Sequence, residues 1–138
     1  MSQQPAVGAM PPRTLRAHQR ADLHVADLAS GETRLVHSST EVLFEAPNWT
    51  PDDRWLVVSG DGLLFRIPVD GGELEQIPLG DIPPINNDHV IGPDGSSVYV
   101  SADDRHIYAV PFATDQPAGV QRFALRVPAG PVQRSCTF

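Results

Sequence analysis

An all-β fold, antiparallel four-stranded units stacked face to face, is predicted by three observations. First, Pro47-Asn48-Trp49-Thr50-Pro51-Asp52-Asp53-Arg54-Trp55-Leu56-Val57-Val58-Ser59 lines up with His89-Val90-Ile91-Gly92-Pro93-Asp94-Gly95-Ser96-Ser97-Val98-Tyr99-Val100-Ser101, the two Pro-Asp pairs standing 42 residues apart. A period of that size holds one four-stranded unit, and such units stack because none can bury its apolar faces alone. Second, 11 Gly and 14 Pro are spread along the 138 residues, the punctuation of many short strands. Third, in Trp55-Leu56-Val57-Val58 alternation sends apolar side chains to both faces, as in a strand covered above and below.

Taken in order, residues 1–21 form a disordered or extended arm with Pro5, Pro11, Pro12, Arg13, Arg16 and Arg20. The arm has no apolar run of the length a signal peptide needs, so a cytoplasmic location is expected. A half unit follows at 22–37: a strand from Leu23 to Leu28, the turn Ala29-Ser30-Gly31-Glu32, and a strand from Thr33 to Val36.

The full unit spans 43–80. Its entering strand leads into Thr50-Pro51-Asp52-Asp53, where Pro supplies φ near −65° and the Asp oxygen caps the turn. Asp53 stands where the later copy has Gly95, at a position suited to positive φ, and should cost some stability relative to Gly. Trp55 to Ser59 is the second strand, with all four of its apolar residues expected to be buried. After the turn Gly60-Asp61-Gly62, Leu64-Phe65-Arg66-Ile67-Pro68-Val69 is the third strand. Then Asp70-Gly71-Gly72-Glu73 turns into a polar fourth strand at Leu74 to Ile77, suited to a sheet edge.

The next unit, 86–116, repeats this plan with Ser97 to Ser101, the turn Ala102-Asp103-Asp104-Arg105, longer by one residue, and Ile107-Tyr108-Ala109-Val110-Pro111-Phe112. Phe65, Tyr108 and His24 share one position, which marks His24 as a packing residue. Pro68 and Pro111 fall where no ladder donor is needed. From 117 to 138 the pattern is lost apart from one strand within 120–125. An irregular natural tail and the truncated or non-native end of a longer array both fit.

The formal charge of −7, with ten Arg and no Lys, argues against nucleic acid as a partner. No stretch approaches the roughly 20 apolar residues of a membrane span. Cys136 is the single cysteine, so neither an intramolecular disulfide nor a cysteine metal knuckle can form.

Trp49-Thr50-Pro51-Asp52-Asp53-Arg54-Trp55, Ile91-Gly92-Pro93-Asp94-Gly95 and Leu64 to Gly72 resemble the TolB-like, WD-repeat-like β-propeller family. The family signature is an apolar or aromatic residue, Ser or Thr, Pro, Asp, Gly, a strand, and a Leu-Tyr-Val-like strand ending in Asp-Gly-Gly. Asp53 for Gly and Gly92 for Ser or Thr are mild departures. The resemblance covers roughly residues 22–115 and implies the blades of an incomplete ring, because family propellers close with six or more. It also implies that the strand entering each Pro-Asp turn lines a central channel.

On that geometry Glu45, Asn48, Asn86, Asn87, Asp88 and His89 meet at the channel mouth, where carboxylate, imidazole and amide groups suit a polar ligand or a divalent metal. The competing structural account is that Asx residues build turns between blades and that His89 satisfies a backbone group. The serines have no nucleophile-elbow context, and the paired acids Asp52-Asp53 and Asp103-Asp104 fall in turns expected to face solvent, so no catalytic residue is assigned. The expectation is a non-catalytic repeat module, without a required cofactor, that binds a protein or small polar ligand or self-associates through its open blade faces. The rival is part of a propeller hydrolase or lyase with a metal at the channel mouth.

Overall fold

A computed structural model describes residues 11–112 and the strand at 123–125. Its regular elements are all strands: β1 (Ala21–Ala26), β2 (Thr33–Ser39), β3 (Phe44–Trp49), β4 (Trp55–Gly60), β5 (Leu63–Pro68), β6 (Glu75–Ile77), β7 (Ile85–Ile91), β8 (Ser97–Ala102), β9 (Ile107–Pro111) and β10 (Phe123–Leu125). They form an antiparallel pair, β1-β2, and two antiparallel four-stranded sheets, β3-β4-β5-β6 and β7-β8-β9-β10. The expected all-β fold is observed, and no helix occurs among the described residues.

The turns explain the repeat. Asp53 at φ 58° and Gly95 at φ 71° occupy the left-handed region in matching turns, closed by Asp53 N–H to Thr50 O and Gly95 N–H to Gly92 O, both 2.9 Å. Asp61 (φ 52°) and Gly62 (φ 78°) form the two-residue hairpin loop between β4 and β5, the twist that antiparallel neighbours favour. The β8–β9 loop, Asp103 to His106, is longer; it carries Arg105 at φ 68° and is closed by Ala102 N–H to His106 O at 3.0 Å. Pro68 and Pro111 pair with Trp55 and Ser97 at the last rung of their ladders, after which Val69 and Phe112 donate to Arg54 O and Ser96 O.

Alternation along β4 divides the core. Leu56 and Val58, with Phe65 and Ile67 of β5, pack against Leu23 and Val36 of the β1-β2 pair. Val57 and Leu64 face the other way, onto Val98, Val100, Val110 and Phe112 of the second four-stranded sheet. The first sheet is thus covered on both faces.

Three expectations change. Trp55 is only partly buried, because it lies near the blade margin with the Arg66 guanidinium stacked 4.3 Å from its ring. His24 is exposed, since Leu23, not His24, turns inward from β1 and the ladder slips between them. The second sheet runs past residue 116: β10 pairs with β9 as its outer strand, reached without an Asp-Gly-Gly turn to announce it. The first ten residues of the arm, and the tail outside 123–125, lie outside the described residues.

Candidate functional site at the inner strand ends

The entering strands of the two sheets, β3 and β7, lie side by side. Asn48 Nδ2 donates to the His89 carbonyl at 3.2 Å, and Ser59 Oγ reaches the Asn87 carbonyl at 3.4 Å. Each strand bulges near its start. In β3 the ladder slips by one residue between Glu45 and Asn48, at Ala46 (φ 52°) and Pro47, which has no N–H to offer β4. In β7 it slips by two between Ile85 and His89. There Asn86 Oδ1 accepts the Asp88 N–H at 2.8 Å and the Ser101 hydroxyl at 2.6 Å, folding Asn86, Asn87 and Asp88 outward into solvent.

The two bulges flank a cavity of about 230 Å³ lined by Arg13, Glu45, Asp61, Asn86, Asn87 and Asp103, among others. Arg13 forms an ion pair with Glu45, whose side chain is 21% exposed. Asp61 presents a buried carboxylate oxygen with no hydrogen-bond partner among the described residues. Ser59 turns its hydroxyl to the main-chain oxygens of Glu45 and Asn87. The polar groups set into this otherwise largely apolar lining are mainly carboxylates and amides, suited to a group that is cationic or donates several hydrogen bonds.

The six residues singled out from the sequence divide. Glu45, Asn86 and Asn87 line the cavity. Asp88 and His89 border a separate cleft on the free face of the second sheet, with Asn87, Tyr99 and Ile107. Asn48 ties the backbones together, through Ala46 O and His89 O. His89 is 7% exposed, and its Nε2–H donates to Val57 O at 3.1 Å. Burial pushes its pKa below the ordinary value, partly offset by the Val57 carbonyl, so the ring is held neutral as a bridge between β7 and β4. Among the described residues no three His, Cys, Asp or Glu side chains converge as a metal set.

Arg13, Asp61 and Asp103 were missed. Asp61 and Asp103 belong to matching hairpin turns in the two units, and the repeat alignment alone brings both to this end of the strands. Asp103 consequently lines the cavity where the sequence reading had it facing solvent.

No family model matches the chain. It is similar to an uncharacterised protein of Agrobacterium fabrum, 36% identical over 83 residues, which is 59% of this chain and 28% of that protein. Among solved structures it is similar to a putative TolB from Agrobacterium tumefaciens: TM-score 0.61, 33% identity, 65% of this chain and 34% of that one. The chain therefore spans about a third of the length of the proteins it matches. The class this defines is a TolB-like fold of antiparallel propeller blades, present here as an incomplete ring.

Proposed function

We propose that the chain is a propeller-type binding module that holds a small polar ligand or a protein segment at the inner ends of β3 and β7. The observation that carries this reading is the cavity between the two bulges, where Glu45, Asn86 and Asn87 converge with Asp61 and Asp103. A site for recognition needs a concave surface with a few placed polar groups, and the bulges supply both. Association with a protein partner or a second copy belongs to the same reading, because Val90, Tyr99 and Ile107 leave an apolar surface on the free face of the second blade.

Mapping a library of short peptides and polar metabolites onto the backbone amide spectrum tests the site. Perturbations clustered at Glu45, Asn86, Asn87 and Asp61, and abolished by Asn86→Ala with Asn87→Ala, are expected. Ligands that bind while leaving those amides unmoved would place the function elsewhere.

A further inference from the structure

The cavity is acidic and already holds a cation from the same chain. Glu45, Asp61 and Asp103 bring three carboxylates to its wall, against the single guanidinium of Arg13. Arg13 lies 32 positions before Glu45, and Pro11 and Pro12 ahead of it complete the wall. A Pro-Pro step favours an extended chain, so the segment lies across the opening without folding into it. The Arg13 side chain is 72% exposed, which leaves the contact weak and displaceable. Asp61, with its unpartnered buried oxygen, is left unsatisfied by Arg13.

We infer that Pro11-Pro12-Arg13 is a strap that lies over the cavity in cis and competes for Glu45 with a ligand bearing a guanidinium or ammonium group. This rests on the binding reading above and names its ligand class and its regulation. The charge balance requires a cation, because displacing Arg13 uncovers Glu45 beside Asp61 and Asp103, and a neutral or anionic ligand would leave that carboxylate uncompensated. Displacement is easy because an exposed ion pair contributes only about 0.2–1 kcal/mol. Freeing the site should therefore tighten ligand binding by about 1.5- to 5-fold, the same energy expressed as an affinity ratio.

The test uses the full chain and acetyl-Pro-Pro-Arg-amide as probe, titrated by calorimetry into wild type, Arg13→Ala, and Arg13→Ala with Glu45→Gln. The expected result is tighter binding to Arg13→Ala than to wild type, within the stated range, and loss of binding in the double variant. Raising the salt toward 1 M, where screening acts over about 3 Å, should bring wild type and Arg13→Ala together. Equal affinity of wild type and Arg13→Ala at low salt overturns the strap. Equal binding of acetyl-Pro-Pro-Gln-amide overturns the cationic class while leaving the site intact. If the arginine probe binds neither protein, the strap competition is overturned, and the library mapping decides separately whether the cavity binds anything.

Discussion

The first and second four-stranded blades share strand order and the left-handed residue of the Pro-Asp turn but differ in what covers them. Val57 and Leu64 of the first are 0% exposed, whereas Tyr99 and Ile107, at matching positions of the second, are each 37% exposed. Both pairs are apolar. The chemistry of the position is set by the repeat, and its burial by whether a neighbouring blade is present. In this architecture a side chain's contribution to stability belongs to the interface between units, as expected for stacked repeats.

Truncating both members of one matched pair should separate the two blades most. Leu64→Ala should destabilise the fold by about 2–5 kcal/mol, the range for emptying a closed core site. Ile107→Ala should cost no more than about 1 kcal/mol, because the residue is partly in water. Denaturant midpoints check both. Equal losses would mean that something covers the free face in solution.

The inner strands offer the next contrast, since His89 matches Pro47 of the first blade. His89→Ala should cost about 1–3 kcal/mol at neutral pH by stranding the Val57 carbonyl. Because the folded pKa of His89 lies below its ordinary value of 6.5, the unfolded chain takes up a proton that the folded one resists. This contribution to stability is present above pH 6.5 and is lost as pH falls below it. A His89→Gln variant should show a flatter stability profile between pH 6.5 and 5. Asp52, Asp94 and Asp104, whose pKa values are also lowered, affect stability only from about their ordinary 3.8 downward, so the two windows separate. An unchanged slope between pH 6.5 and 5 would remove His89 as its source.

The smallest effect concerns the Pro-Asp turns. Asp53→Gly should stabilise the first blade by up to about 1 kcal/mol, since Asp53 has φ 58° and Gly carries no Cβ penalty there. Gly95→Asp should do the reverse, and more steeply, because a Cβ at Gly95 would come within 3.2 Å of Pro51 Cδ in the preceding turn. A thermal midpoint that fails to rise for Asp53→Gly would show that Thr50 decides the turn. Its hydroxyl donates to Asp52 Oδ1 at 2.5 Å and accepts the Trp55 N–H at 3.0 Å, contacts that Gly92 cannot copy in the second turn.

Most of the fold was readable because turn chemistry and strand alternation are local. Pro51, Gly95 and the Val57–Val58 alternation each announce a backbone conformation that tertiary packing then accepts. The site was readable only in part. Glu45, Asn86 and Asn87 meet through two bulges of different size, and nothing in the residue pattern states how many residues a ladder skips. The exposure of His24 and Trp55 is hidden for a related reason: a position within a repeat does not say which face is exposed once the ladder slips or an arginine stacks at the margin. The residue pattern marks β10 as a strand without placing it, because its partner is chosen across a long connection with no hairpin signal.

Among the described residues each strand pairs only with strands adjacent to it in sequence, from β1-β2 through to β9-β10. Apart from the longer connection to β10, these hairpins close short loops, so the entropy lost in forming each blade is small and grows only slowly with loop length. The slow events are then the later ones, in which whole sheets dock and water leaves the space between Val57 and Val98. Amide exchange should accordingly divide by blade: β4 and β5, enclosed on both sides, open last, and β1 and β2, a lone pair, open first.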